Sequence, residues 1–496
     1  MAILGIELSD AGVLAAAVQG EGYRLLPTVK GGETVAPWVG FACHDGHHLV
    51  YGPAAEDAWF TSPRRVTSGF LARLTHDPVS LNLPGKVPSN SELAFHFLGE
   101  FIKNVITGTG KAEGVVLAVP GAYLRDAATE EERIGLLLGI AIELRLPLAA
   151  IIDLACAGLS DPAAPAINPA LPVLVIDVNL HAAEISLLAA AEQRLARRAF
   201  VEVPHAGMAE LLKHLNTAMG NRFLRNTTFD ILADGRIEQM FYRQTKLFVQ
   251  GGATEFRYQV NTDQRAYEMP AKHEQLVADS QTFIRQIEAV LQPFVRAQSV
   301  GPGACTVVLT DRAAAVPGLE ARLRTDGYLR VVRLSPGAAA RGAARLAARS
   351  QVPGDISTVA VETSLRLSDL HRGGAAPWRI HLHKGKSSAG AAVPTHIVIA
   401  GTGHPIGGNG TFTIGTAAAG PDLVLPGNFD AESDGAVSLV RDGGRLWLKE
   451  AGAGGAQATL TAIEAGDRVS VHGAGGAGEL LFIHCVAAGG SAPGHE

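Results

Sequence analysis

The sequence is short of several things at once. Of 496 residues only 18% are charged and 6% aromatic, with four tryptophans, five methionines and four cysteines. The charged fraction lies below the ~25% of an ordinary globular chain. Hydrophobic residues still make up 47%, which excludes wholesale disorder. The cysteines (Cys43, Cys156, Cys305, Cys485) lie far apart, without CxxC or zinc-like spacing, so they read as reduced, buried thiols. There is no basic surplus: net charge is -6 and the pI is near 6.3, which gives no electrostatic case for nucleic acid or an anionic membrane. The start, MAILGIELSD, has no basic n-region and soon meets Glu7 and Asp10, unlike a signal peptide. The longest apolar stretch, around Ile134 to Ile142, falls far short of a membrane span. A cytoplasmic protein of two to four domains is expected.

What is present has a clear order. Three apolar runs, GVVLAVP from Gly114, PVLVIDV from Pro172 and CTVVLT from Cys305, read as fully buried strands flanked by helical segments. Asp126 is placed to cap a helix whose first turn holds Glu130, Glu131 and Glu132, with Ile134, Leu137, Leu138 and Ile142 as its apolar stripe. A second helix is expected from about Glu274 to Arg296, with Leu276, Phe283, Ile287 and Leu291 on one face. After about Ser350 helical periodicity stops. Short alternating segments such as TFTIG, DLVLP, RLWLKE and ELLFIHCV take over, separated by glycine, as in an all-β domain.

The order of motifs in the first 350 residues resembles the nucleotide-binding domain of DnaK-type (heat-shock-seventy) chaperones, within the actin and sugar-kinase superfamily. GIELSDAGVLAAAV is similar to that family's first phosphate loop, and PWVGFACHDGHHLVYGP to its following hairpin. AVPGAYLRDAATEEER, IIDLACAGL, VLVIDVNLHAAEISLLA, VVLTDRAAAVPGLEARL and SPGAAARGAARLAA resemble later landmarks, including the second phosphate loop and the adenosine segment. The resemblance implies a two-lobed actin-like (ribonuclease H-like) α/β ATPase fold over 1–350. The stretch from about Arg222 to Gln264 is shorter, which implies a reduced outer subdomain.

Phosphate loops of this kind use glycine because only glycine lets backbone N–H groups approach so closely. Here those positions carry side chains: Ser9, Asp10 and Ala11 in the first loop, Asn179, Leu180 and His181 in the second, Asp311 and Arg312 in the adenosine segment. The resemblance places Ala72 where the family has its catalytic lysine, so the cation for phosphoryl transfer is missing; Arg73 next to it is expected to point elsewhere. Glu7, Asp153, Asp177 and Glu184 match the family's carboxylates for magnesium and water, and Lys246 matches an adenine-pocket lysine whose partner glutamate is replaced by Arg243.

Residues 393–488 resemble a forkhead-associated domain, which implies a β-sandwich, with 351–392 as a connecting segment and 489–496 as a tail. FTIGTAAAGPDLVLP, AESDGAVSL, GDRVSV and ELLFI carry that resemblance. Its phosphothreonine pocket is altered: Thr416 and Asp434 stand at arginine-like positions and Ala436 at the histidine, and only Ser433 remains. His44, His47 and His48 surround an Asp45-Gly46 turn and read as an exposed hairpin tip. His381 and His383, beside Lys384 and Lys386, read as a polar sheet edge.

The expected function is therefore that of a chaperone-like pseudo-ATPase. It would act as a scaffold for protein partners, carry a phosphate-independent forkhead-associated-like module, and need no cofactor. The alternatives are a weak ATP- and Mg²⁺-dependent switch and a filament-forming actin relative.

Overall fold

The computed structural model describes residues 2–20, 22–28, 35–79, 87–106, 112–262, 265–370, 379–385, 392–399, 402–406, 410–415, 423–424, 436–442, 445–450, 459–473 and 476–484. It is mixed α/β and divides into two compact units, Met1–His371 and Arg372–Glu496. Thr416, Ser433 and Asp434 lie outside the described residues.

The apolar runs become central strands. In the first unit β1 (Ala2–Glu7), β2 (Leu14–Gln19) and β3 (Gly22–Leu25) form an antiparallel meander. A small separate sheet follows, made of β4 (Ala42–His44), β5 (Leu49–Tyr51) and β6 (Val66–Thr67). β7 (Ala112–Val119) then pairs parallel with β1, and β8 (Leu148–Asp153) pairs parallel with β7. The second half repeats this plan. β9 (Val173–Val178), β10 (Ala182–Ala191) and β11 (Arg194–Pro204) form a meander. After the hairpin β12 (Glu255–Asn261) and β13 (Ala266–Lys272), β14 (Thr306–Leu309) pairs parallel with β9 and β15 (Arg330–Arg333) parallel with β14. Each sheet is thus a meander extended by two parallel strands on the side of its first strand.

The first unit runs past residue 350. β16 (Ala360–Glu362) adds parallel to β8, and β17 (Ser364–Arg366) adds antiparallel to β11. With only Thr363 between them, this segment bonds to both sheets, where the sequence suggested a connector. The strand orders are β3-β2-β1-β7-β8-β16 and β17-β11-β10-β9-β14-β15.

One core draws side chains from both sheets: Val116 and Ile152 from the first, Val175 and Leu188 from the second, with Ala339 and Ala343 from the helix Ala338–Ala347. The small face of that helix permits the close approach. The helix Ala127–Glu143 starts as expected, with the Asp126 carboxylate accepting the Thr129 N–H at 2.9 Å. Its stripe differs from the expected one: Ile134, Leu137, Ile140 and Ala141 are buried, whereas Ile142 is exposed. The helix His273–Ala297 matches its expected span within a residue at either end and buries Leu276, Phe283, Ile287 and Leu291. At the β4–β5 tip, Asp45 Oδ1 accepts the N–H groups of His47 and His48. No helix among the described residues is long and apolar enough to cross a membrane.

The second unit holds β18 (Arg379–His383), β19 (His396–Ile399), β20 (Thr402–Pro405), β21 (Gly410–Gly415), β22 (Leu423–Val424), β23 (Ala436–Asp442), β24 (Arg445–Glu450), β25 (Thr459–Ile463), β26 (Arg468–Gly473) and β27 (Gly476–Ile483). They form two five-stranded sheets, β18-β26-β27-β19-β20 and β22-β21-β23-β24-β25, antiparallel except for the short β21–β22 pair. Ile397, Phe482 and Val469 from one sheet meet Ile414, Leu439 and Leu448 from the other in a single core. β18 is an edge strand, so the expected connecting segment also supplies this unit with a strand. Beyond β18, Lys384 Nζ meets the Asp467 carboxylate at 2.8 Å.

Candidate functional site in the cleft of the first unit

The carboxylates Glu7, Asp153, Asp177 and Glu184 converge where the two sheets of the first unit meet, and each has a protein partner. Glu7 ends β1 and Asp177 lies near the end of β9. Between them sits the guanidinium of Arg312, from the single turn Asp311–Ala314 that follows β14. Its Nη1 donates to Glu7 Oε1 at 2.5 Å, while Nη2 and Nε donate to the two Asp177 oxygens at 2.8 and 3.1 Å. Thr310 holds this arrangement: its hydroxyl donates to Asp177 Oδ1 at 2.6 Å and accepts the Ala313 N–H. The Arg312 side chain is 12% exposed, that of Glu7 3% and that of Asp177 7%, so the ion triad is nearly dry. Burial alone would depress Arg312, but Asp177, Glu7 and Asp311 outweigh it and hold the guanidinium well above its usual range. Burial pushes Glu7 up in spite of Arg312, and pushes Asp311 up likewise.

The loops that follow β1 and β9 bond to each other. Ser9 Oγ donates to Asn179 Oδ1 at 2.8 Å, and the Leu180 N–H donates to Asp10 Oδ1 at 2.7 Å. Burial raises the Asp10 carboxyl, with His181 and the Leu180 N–H opposing. Glu184 on β10 reaches across the cleft and accepts from the Gly121 N–H at 2.9 Å and the Ala122 N–H at 3.4 Å. Burial pushes it well above the carboxylate range, and Asp177 and Asp153 add to the shift. Asp153 caps the helix Leu154–Leu159 through the Ala155 N–H and meets Arg197 Nη1 at 2.5 Å. Arg197, on β11, also donates to the carbonyls of Gly121 and Leu124. Arg197 was not singled out in the sequence; an arginine in a strand carries no local signal of the distant carboxylate it neutralises.

Lys246 is drawn away from the cleft. Its ammonium contacts both oxygens of Glu56 at 2.6 and 2.7 Å, and Tyr242 donates to the same carboxylate at 3.1 Å. Arg243 pairs with Asp57 beside it.

Above this floor the cleft opens into a cavity of about 570 Å³. Ala72 lines it, and so does Arg73, contrary to the sequence expectation. The chain from Gly69 to Arg73 makes a turn, closed by the Arg73 N–H on the Gly69 carbonyl, which carries the guanidinium back against Gly69. At the mouth, Ser68 Oγ lies 3.0 Å from His181 Nε2, and His181 Nδ1 lies 3.6 Å from Glu210 Oε1. Glu210 sits in the first turn of the helix Met208–Thr227, whose positive end favours its carboxylate. Gly207, the cap of that helix, is obligatory: a Cβ there would lie 2.2 Å from the Leu180 carbonyl oxygen and 2.5 Å from the His181 Cα. Burial would lower His181, but Glu210 and Asp10 outweigh it and raise it. Ser68 and Glu210 were invisible in the sequence, since only the fold brings residues 68, 181 and 210 together.

No protein-family model matches this sequence, and no curated protein sequence matches it significantly.

Proposed function

We propose that the first unit is a DnaK-type, actin-like fold whose ATP site has become a structural lock, and that the protein is a platform for protein partners that does not hydrolyse ATP. The repeated strand order of the two six-stranded sheets supports the fold. The single observation that carries the functional reading is Arg312. Its guanidinium lies between Glu7 and Asp177, where the resemblance would put a magnesium ion and its water ligands. A cation bound to Glu7 and Asp177 would have to displace the guanidinium and leave it buried without its carboxylates, and breaking a buried pair costs about 3–5 kcal/mol. The bonded loops, Ser9 to Asn179 and Asp10 to Leu180, take up the polar groups that would otherwise face phosphates. The second unit, with two sheets about one core, is compatible with a forkhead-associated-like sandwich, and Thr416 and Asp434 in place of arginines support a phosphate-independent role for it.

A weak ATP-dependent switch is the second reading. The cavity beside Glu184, with Arg73 on its wall, favours it. Calorimetric titration of the full chain with ATP and ADP, with and without Mg²⁺, separates the two. The platform reading expects no magnesium-dependent heat; micromolar binding that requires magnesium establishes the switch.

A further inference from the structure

The cleft floor is spent on structure, but its mouth is not. We propose that Ser68, His181 and Glu210 form a nucleophilic hydrolytic site at the mouth, which takes a small carboxylic ester bearing an anionic group.

The three residues come from unconnected places: the turn after β6, the β9–β10 turn and the start of the helix Met208–Thr227. Local capping therefore does not explain their convergence. The spacing suits acyl transfer, with a hydroxyl 3.0 Å from one imidazole nitrogen and a carboxylate 3.6 Å from the other. Contacts of this kind are often long before substrate binds and tighten in the complex. Glu210 Oε1 facing Nδ1 assigns the ring proton to that nitrogen, which leaves Nε2 to accept the Ser68 proton. A second observation points the same way. Glu210 Oε2 is buried and has no hydrogen-bond partner among the described residues, so this carboxylate is not placed merely to satisfy its surroundings.

The cavity supplies the rest. Leu71 and Tyr123 give it an apolar wall; Arg73, Arg125 and Arg133 line it together with Asp10, Glu184, Glu202 and Glu210, and Arg125 is paired with Glu202 and Asp126, so the cation offered to a substrate is Arg73. Arg73, packed on Gly69, sets a guanidinium beside the residue that follows the nucleophile, where it attracts the anionic group of the substrate. In the first half-reaction Ser68 Oγ bonds to the ester carbonyl carbon and its proton passes to His181 Nε2. The tetrahedral adduct then breaks its C–O bond to the alcohol, which leaves with that proton. In the second half-reaction water gives a proton to His181 and adds to the acyl carbon. The acid departs and Ser68 recovers its proton.

Two probes test this on the full chain: a fluorophosphonate, and the para-nitrophenyl monoester of succinic acid. The fluorophosphonate should form one phosphonyl bond, at Ser68, with loss of fluoride, read by peptide mapping in a mass spectrometer. Ester turnover should fall at least about 100-fold in Ser68→Ala and in His181→Gln. Glu210 acts as a positioning residue, so Glu210→Gln should lower kcat while Glu210→Asp restores part of it, with matching unfolding midpoints for both. Arg73→Met should raise KM for the succinate ester and leave that for the neutral acetate ester unchanged. Absence of labelling at Ser68 in the wild type overturns the proposal without reference to any variant's folding. So does turnover that survives in folded His181→Gln.

Discussion

The floor and the mouth of one cleft use the same kinds of residue for opposite ends. On the floor Glu7, Asp177 and Arg312 are nearly dry and fully engaged. At the mouth the side chains of His181 and Glu210 are 30% and 39% exposed, and the contact between them is looser. A buried charge must be paired to persist, so a floor of this kind is held to its partners. A half-exposed set with one unspent oxygen has no such obligation and can change partners.

The comparison breaks most sharply at Arg312. Arg312→Met should cost about 3–5 kcal/mol in denaturant unfolding, because it strands two buried carboxylates. Adding Glu7→Gln and Asp177→Asn should recover much of that loss. A single variant as stable as the wild type would mean that the triad is not a lock. Next in size is Ser9→Ala, which leaves the buried Asn179 Oδ1 without its donor and should cost about 1–3 kcal/mol.

Glu184 sharpens the contrast through pH. Its carboxyl is raised in the folded chain above the ordinary value of 4.5, so the native state keeps a proton that the unfolded state releases. Its stabilisation is complete below pH 4.5 and is lost as pH rises toward the folded pKa, at no more than about 1.4 kcal/mol per pH unit. Glu184→Gln should remove this slope. A wild-type advantage that grows with pH would contradict the burial argument. The smallest expected effect is at the mouth: Ser68→Ala should leave stability within about 0.5 kcal/mol of the wild type, as for a partly exposed position. A loss as large as that at Ser9 would mean that Ser68 is another brace.

Much of the fold was legible because its signals are local. The runs at Gly114, Pro172 and Cys305 are apolar throughout, as strands covered on both faces must be, and Asp126 announces its helix. The segment at 360–366 was not legible, because three-residue edge strands carry no periodicity and are defined only by β8 and β11. Ile142 was misassigned because an apolar run at a helix end continues past the buried stripe. In the site, the side chains at 9–11 and 179–181 and the carboxylates Glu7, Asp153, Asp177 and Glu184 could be read directly. Their partners could not. Arg312 first read as a disrupted loop position, and only the meeting of two sheets shows it neutralising residues 305 and 135 positions away.

The most direct test of the central claim is the unfolding midpoint of the full chain, measured in saturating ATP with and without Mg²⁺. If Arg312 already fills the place of the cation, the two midpoints coincide with that of the free protein. A magnesium-dependent rise in the wild-type midpoint would show that the floor opens to nucleotide, and would contradict the account.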